Sequence, residues 1–282
     1  MTAQWVVALC LAFAACASQA IEVRASAFYE ASFRARVVKG PTLEKYPQLS
    51  DLVGLLVSHY NSTKIPFASF NWAFREVANG KVIPRANMAA SPTILFHSDW
   101  RDFTIRFWTP ENATSFTLTA SGAEIDGLEL REVAPVRVLN INERFDAHDE
   151  FTPGWQLAGP AQFKRDKNGV KYIFAEEGRV SSDLFAVKPS SRVKVLLRGT
   201  MPRYALENAH FTASVYFFEA YHEASSEKTA AKFRAARKVR ITGKEGEASY
   251  IYSVPEKARW ARLVASGGNI YECSAIELQA GE

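Results

Sequence analysis

Residues 110–122 (PENATSFTLTASG) recur without a gap as residues 255–267 (PEKARWARLVASG). The opening Pro-Glu, one Ala, one Leu and the closing Ala-Ser-Gly are identical in the two stretches. Each stretch then runs into a similar ending, at residues 125–130 (IDGLEL) and 274–278 (SAIEL). A repeat with copies this far apart predicts two copies of one domain rather than one large fold.

The composition is that of a folded protein. The chain has 282 residues, which is long enough for two domains that each bury a core. Hydrophobic residues make up 48% and aromatic residues 12% of the chain, values that argue against wholesale disorder. The net charge is +4, from 34 basic and 30 acidic residues. This mild balance gives no support for a nucleic-acid partner.

The N-terminal residues have the pattern of an export signal. Residues 6–17 are apolar but too few to span a bilayer, and the following ASQA (17–20) suits cleavage before Ile21. Residues 1–20 are therefore predicted to be a signal peptide of a secreted, periplasmic or cell-envelope protein without a transmembrane helix after processing. No Lys or Arg precedes the apolar run. A lipoprotein signal at FAAC (13–16), with Cys16 lipidated, is the alternative.

Cysteine usage predicts no disulfide. Cys10 and Cys16 lie in the leader, so the mature chain keeps only Cys273. One cysteine cannot form an internal disulfide or provide the Cys spacing of a zinc site. We expect Cys273 to be a buried, inert thiol on a strand.

Strand-like alternation dominates the chain. Residues 29–37 alternate large apolar with polar or small residues, and Phe70, Trp72 and Phe74 share one face of another strand and are predicted to be core. Short strands separated by Gly, Pro and Asn predict antiparallel sandwiches. We therefore predict an all-β protein of two tandem jelly-roll domains, a reduced first domain at 21–134 and a second at 135–282.

Three segments depart from this pattern. Helices are predicted at residues 49–60 and 223–237. Five basic residues lie in or directly after the second segment, a pattern that fits a solvated helix or an anion-binding arm. Residues 146–150 contain an acidic cluster with His148, which fits a solvated loop or a metal site. No hydrolase, phosphate-loop or dinucleotide motif occurs, and no facing carboxylate pair can be assigned, so we predict that the protein is not an enzyme.

The second half resembles carbohydrate-binding modules of the cellulose- and xylan-binding 4/9 type. The resemblance lies in residues 140–145 (NINERF), in 153–155 (PGW), in 180–189 (VSSDLFAVKP) and in the closing 276–278 (IEL). The first half resembles only the later part of such a module. This resemblance implies a jelly roll of two antiparallel sheets and contact with an extracellular polysaccharide.

The resemblance also implies a structural calcium ion held by an acidic residue of the closing strand. Asp126 stands at that place in the first copy, whereas Ser274 is aligned with it in the second. Oxygen ligands suit calcium. The sequence thus makes Asp126 the candidate calcium ligand.

The repeat also selects candidate sugar-binding residues, because sugar binding requires aromatic planes flanked by polar groups. If Phe116 and Leu118 face the core, then Ala261 and Leu263 do so in the second copy, and Trp260 and Arg262 lie on the outer face. The predicted ligand-binding residues are Trp260, Arg262, Tyr250, Tyr252 and Trp155. The alternative for Trp260 is that a loop or helix covers it, and the alternative for Trp155 is that it packs within the fold.

The sequence therefore favours an exported, non-catalytic protein that contacts a polysaccharide through aromatic residues of its second domain. The alternative is a structural or adaptor β-sandwich of the cell envelope that binds a protein partner and no sugar. The incomplete first copy favours the alternative, because an incomplete sandwich has edges that need covering.

Overall fold

A computed structural model describes residues 20–46, 67–83, 93–145, 153–175, 178–201, 210–221, 239–242 and 245–279. The predicted signal peptide up to residue 19, both predicted helices and the acidic cluster at 146–150 lie outside these ranges. Within them the chain is built from β-strands, which confirms the all-β prediction. No helix in the described part has the length and apolar character needed to cross a membrane.

The first half forms two antiparallel sheets. Its strands are β1 (Ala20–Glu22), β2 (Phe28–Val37), β3 (Ser69–Ala78), β4 (Lys81–Val82), β5 (Thr93–Ile94), β6 (Arg101–Trp108), β7 (Ala113–Ser121) and β8 (Ala123–Glu132). Sheet I has the order β1–β7–β3–β4 with β5 also beside β3, and sheet II has the order β6–β2–β8. Asn79 and Gly80, with φ of 51° and 74°, close the hairpin between β3 and β4, where the turn requires positive φ.

The second half forms two larger antiparallel sheets. Its strands are β9 (Trp155–Ala158), β10 (Gln162–Arg165), β11 (Lys171–Phe174), β12 (Arg179–Ser182), β13 (Phe185–Ala186), β14 (Arg192–Thr200), β15 (His210–Phe218), β16 (Val239–Thr242), β17 (Glu245–Ser253), β18 (Trp260–Ser266) and β19 (Asn269–Glu277). Sheet III has the order β16–β15–β18–β12–β9 with β13 beside β18, and sheet IV has the order β10–β11–β19–β14–β17.

Each half buries its own core between its two sheets. In the first half the core contains the predicted Phe70, Trp72 and Phe74, and the rings of Phe107 and Phe116 stack with centroids 4.8 Å apart. The second core is mostly aliphatic and includes Cys273, which has no exposed surface, as the sequence predicts. Period-two alternation produces both cores, because it gives every strand one apolar face.

The internal repeat is visible in the strand pairing. β7 pairs with β3 and β18 pairs with β15, so that Leu118 lies opposite Trp72 and Leu263 lies opposite Val215. In the same way β2 lies between β6 and β8, as β14 lies between β17 and β19. β1 likewise pairs with β7 as β13 pairs with β18, with Ile21 opposite Phe116 and Phe185 opposite Ala261. Strands β9 to β12 have no counterpart in the described residues of the first half, so the described part of the first copy is the smaller sandwich.

Candidate functional site

Trp260 and Arg262 lie on the outer face of sheet III, but the first half of the chain covers this face. Trp260 is only 1% exposed, and its Nε1–H donates a hydrogen bond to Glu111 of the first half at 2.8 Å. Tyr221 packs edge-on against the Trp260 ring, with the ring centroids 5.1 Å apart. The face assignment was correct, since Leu263 points into the core, but the prediction of an exposed sugar platform at Trp260 is wrong.

Charged groups fill the contact around Trp260. The backbone N–H of Tyr221 donates to both carboxylate oxygens of Glu111, at 3.0 and 3.2 Å. Burial raises the pKa of Asp183 and lowers that of Arg262, and the attraction between these two groups opposes both shifts. The cavity that Arg262 and Asp183 line has a volume of about 10 Å³. It has room for about one water molecule and not for a sugar.

The other three predicted binding aromatics belong to the second core. Tyr252 is 5% exposed, and Tyr250 packs against the same core with its ring centroid 4.9 Å from that of Tyr252. Trp155 is 5% exposed, packs against Phe145 and donates its Nε1–H to the carbonyl oxygen of Asn142 at 2.9 Å. The burial of Trp155 and Tyr252 contradicts the prediction that they present a binding surface, whereas Tyr250 is partly buried and its role in binding stays a prediction.

Asp126 does not have the surroundings of a calcium ligand. It forms an ion pair with Arg34 on the neighbouring strand. No group of three or more acidic, His or Cys side chains suited to a metal occurs among the described residues. The strand register also gives Asp126 a different counterpart in the second copy. Arg34 lies opposite Asp126 as Arg198 lies opposite Glu272, so Glu272 corresponds to Asp126. Ser274, which the sequence aligns with Asp126, lies opposite Leu196. Asp126 already has a cationic partner, and the described residues around it do not form a set of ligands for the ion.

An aromatic surface that the sequence did not predict lies on the outer face of sheet IV. The rings of Tyr172 on β11 and Tyr271 on β19 stack with their centroids 5.2 Å apart and their planes at 30°. Phe174 lies on the same face of β11, and the Lys164 ammonium group sits 4.1 Å from the centre of its ring. All three rings are partly exposed. We call Tyr172, Tyr271 and Phe174 the aromatic platform.

Polar side chains border the aromatic platform. The side-chain amide of Asn269 donates to the hydroxyl of Thr200 at 3.2 Å. Glu272, which is 6% exposed, lies 3.5 Å from the guanidinium groups of both Arg144 and Arg198. Partly exposed rings beside fixed donors and acceptors are the surface that binds the apolar face and the hydroxyl groups of a sugar.

The phenol of Tyr172 is a hydrogen-bonding group at the edge of the platform. Burial, and then the neighbouring Tyr271 and Asp166, raise its pKa above the ordinary value for tyrosine. It therefore remains protonated at neutral pH and can donate as well as accept a hydrogen bond. A signal for the platform was present in the sequence, because Ile173 between Tyr172 and Phe174 is a core residue and places both rings on the outer face.

The corresponding face of the first half, on sheet II, carries ion pairs and the ring of Trp100 in place of a stacked tyrosine pair. Glu30 accepts hydrogen bonds from Arg106 and Arg131 at 2.8 and 2.9 Å. Arg36 binds Glu124 at 2.7 Å, and its guanidinium group also lies 4.7 Å from the centre of the Trp100 ring. These contacts engage the charged side chains of this face with one another. The two copies therefore present different chemistry on the same face.

No family model and no curated protein matches the chain. Among solved structures, the N-terminal CBM22-1-CBM22-2 tandem domain of Xyn10C from Paenibacillus barcinonensis is 11% identical, with 93% of this chain and 83% of that chain covered and a TM-score of 0.33. The C-terminal CBM6 of LamC, a marine laminarinase from Zobellia galactanivorans, is 12% identical, with 42% and 89% covered and a TM-score of 0.27. Allantoicase is 11% identical, with 92% and 76% covered and a TM-score of 0.27. At these TM-scores the likenesses do not decide what this chain binds.

Proposed function

We propose that this protein is an exported, non-catalytic protein that binds a polysaccharide through the aromatic platform of its second half. The observation that carries the proposal is the stacked pair Tyr172–Tyr271 on the outer face of sheet IV. Trp260, Tyr252 and Trp155 are buried and Tyr250 is partly buried against the second core, so we propose a site on the outer face of sheet IV instead. Export is proposed from the leader pattern of residues 1–20.

The proposal of a non-catalytic role rests on where the buried carboxyl groups lie. Glycoside hydrolysis needs two carboxyl groups that face each other across a substrate cleft. Glu76 and Asp183 have raised pKa values from burial, as catalytic acids often do, but they lie at the contact between the halves. The cavity that Asp183 lines there is too small for a sugar ring. We assign these groups to the packing of the two halves.

Retention on polysaccharides tests the proposed function. The wild type and the Tyr172→Ala/Tyr271→Ala variant are compared by pull-down on insoluble polysaccharides and by affinity electrophoresis in gels that contain soluble ones. Loss of two central aromatic contacts is expected to weaken binding about 30-fold or more, as for residues at the centre of an interface.

The matched control is Tyr46→Ala, because Tyr46 is a 47% exposed tyrosine of the first half, away from the platform. This variant should be retained like the wild type. The thermal unfolding of all variants shows that they are folded. The proposal fails if the wild type is retained on no polysaccharide. It also fails if the Tyr172→Ala/Tyr271→Ala variant binds as well as the Tyr46→Ala variant.

A structural role with a protein partner is the second candidate function. The observation that favours it is the contact between the halves, in which the first half covers the outer face of sheet III through Glu111 and Trp108. In addition, β8 pairs only with β2 among the described strands, so one of its edges faces outward. The charged side chains of β8 oppose the addition of another strand. Cross-linking on whole cells that captured one stoichiometric envelope protein, together with no polysaccharide retention, would favour this role.

A further inference from the structure

A β-bulge places two consecutive residues of β19 on the outer face of sheet IV. In the pairing of β14 with β19 the register shifts between Arg198 and Gly199, which leaves Tyr271 as an extra residue. The residues before and after the pair Tyr271–Glu272 lie in the core with no exposed surface, so both members of the pair lie on the outer face. The Tyr271 ring thereby reaches Tyr172 on the neighbouring strand. Bulges re-aim side chains in this way and are frequent next to functional sites.

A row of matched positions runs beside the stacked tyrosines, across four strands. Gln162 on β10 lies opposite Phe174 on β11, and Phe174 lies opposite Asn269 on β19. Asn269 in turn lies opposite Thr200 on β14. All four residues are partly exposed. We call Gln162, Asn269 and Thr200 the polar row, and it lies one outward-facing position along the strands from the tyrosine pair.

The long axis of this surface runs across the strands. β10 and β11 have four residues each, so only two side chains of each strand point outward. The surface therefore extends for about 7 Å along these strands. Across the strands, the row from Gln162 to Thr200 covers three spacings between neighbouring strands, which is about 14 Å. An extended sugar chain that used the whole surface would lie across the strands and place about three rings on it.

The polar row presents amide and hydroxyl groups, which suit the hydroxyl groups of a sugar. The side-chain amide of Asn269 donates to the hydroxyl oxygen of Thr200 at 3.2 Å, and this bond orients both side chains. The Thr200 hydroxyl can donate its own hydrogen in another direction, and the carbonyl oxygen of the Asn269 amide can accept one. A donor and an acceptor held side by side match two neighbouring hydroxyl groups of a sugar ring.

Charged side chains beside the platform are paired within the protein. Arg198 lies 2.8 Å from Glu247 and 3.5 Å from Glu272. Arg144 also lies 3.5 Å from Glu272. The ammonium group of Lys164 lies 4.1 Å from the centre of an aromatic ring of the platform. An ionic ligand would have to compete with these pairs, whereas an uncharged ligand would not, so the surface favours an uncharged ligand.

We propose that the ligand is an uncharged polysaccharide that lies across the four strands of this face, with Asn269 and Thr200 binding its hydroxyl groups. Its rings stack on Tyr172 and Tyr271. Asn269 and Thr200 determine which sugar fits, because a site with fixed donors and acceptors rejects a ring whose hydroxyl groups do not match. This inference rests on the proposed function and adds the charge class of the ligand, its direction and the residues that select it.

Neutral and charged probes test the class and the direction of the ligand. Affinity electrophoresis compares hydroxyethylcellulose with carboxymethylcellulose and dextran with dextran sulfate, alongside neutral xylan and mixed-linkage β-glucan. We expect retention on at least one neutral polysaccharide, with an affinity that changes less than about 2-fold between about 50 and about 500 mM NaCl. Oligosaccharides of the retained polysaccharide, from one to about six units long, are then titrated by calorimetry. Their affinity should rise up to about three or four units and then level off.

Single-group variants locate the hydroxyl contacts. Thr200→Val keeps the shape of the side chain but lacks the hydroxyl group, and it should lose about 3- to 10-fold in affinity for the retained oligosaccharide. Thr200→Ser keeps the hydroxyl group and should bind within about 2-fold of the wild type, whereas Asn269→Ala should lose at least as much as Thr200→Val. The matched control is Thr119→Val, because Thr119 is an exposed threonine on β7 of the first half. Thermal unfolding shows that the variants are folded.

The outcomes separate this inference from the proposed function. Retention confined to carboxymethylcellulose or dextran sulfate, with loss in the Tyr172→Ala/Tyr271→Ala variant, would overturn the uncharged ligand and leave the polysaccharide-binding function intact. An affinity that keeps rising through about six units would overturn the direction across the strands. Equal binding by Thr200→Val and Thr119→Val would overturn the role of the polar row. No retention on any polysaccharide would overturn both the inference and the proposed function.

Discussion

Glu76 is a carboxyl group buried at the contact between the two halves, and its ionisation should control their stability. It is 1% exposed, and neither carboxyl oxygen has a hydrogen-bond partner among the described residues. Nearby Glu111 carries a negative charge that is engaged by Tyr221 and Trp260. Burial, and then the charge of Glu111, raise the pKa of Glu76 from 4.5 to about 7.

The sign of the pH dependence follows from this raised pKa. Below pH 4.5 the carboxyl group of Glu76 is protonated in both the folded and the unfolded chain, so it does not lower the free energy of unfolding. As the pH rises, the unfolded chain loses the proton first, and the free energy of unfolding falls until the pH passes about 7. The gap between the two pKa values corresponds to a loss of at most about 3 kcal/mol.

The substitution Glu76→Gln keeps the shape of the protonated side chain but cannot ionise. We expect this variant to be more stable than the wild type by up to about 3 kcal/mol at about pH 8, and to match it within about 1 kcal/mol at about pH 4.5. Urea unfolding followed by tryptophan fluorescence at four pH values between these limits measures the difference. Glu129→Gln is the control, because Glu129 is an exposed residue on β8.

The result that would refute this argument is a constant difference. If Glu76→Gln and the wild type lost stability in parallel between about pH 5 and about pH 8, Glu76 would not titrate in that range. A Glu129→Gln variant that reproduced the effect of Glu76→Gln would attribute it to net charge instead of burial. Either outcome would show that the ionisation of Glu76 does not control the stability of the contact between the halves.

Two further predictions concern the packed interior. Trp260→Phe keeps a ring in the contact but leaves Glu111 without the indole donor. Urea unfolding should therefore show a loss of about 1 to 3 kcal/mol in the free energy of unfolding. The control Trp100→Phe, at a residue that is 36% exposed, should cost less than about 0.5 kcal/mol. Equal losses would show that the hydrogen bond to Glu111 is not important. In a protein with Cys10 and Cys16 changed to Ser, the Cys273 thiol should not react with Ellman's reagent at about pH 8 until urea unfolds the chain, because burial raises its pKa to about 12. Rapid stoichiometric labelling of the folded protein would contradict the buried position.

The sequence is sufficient to predict the features that depend on one strand and its neighbours. Alternation with period two places Leu118, Leu263 and Cys273 in the cores without reference to the rest of the molecule. The repeat of residues 110–122 at 255–267 correctly aligns β7 with β18, because both strands bury corresponding positions against equivalent partner strands. The same logic, applied to Tyr172 and Phe174 around Ile173, would have found part of the aromatic platform.

The sequence does not predict what lies against the outer face of a sheet. Alternation correctly assigned Trp260 to the outside of sheet III, but an outer face becomes buried when another domain packs on it. The covering group, Glu111, is 149 residues away in the chain, and no local pattern encodes that contact. Asp126 likewise resembled a metal ligand until the register placed Arg34 beside it.

The sequence by itself thus determined the all-β fold, the repeated strands and the core faces, because these follow from the spacing of apolar residues along a strand. Only the tertiary structure decided which outer face stays open. The first half packs on sheet III at Trp260 and buries it, while sheet IV keeps Tyr172 and Tyr271 partly exposed. The physical reason is that exposure is a property of the packed assembly, set by contacts between residues that are distant in the chain.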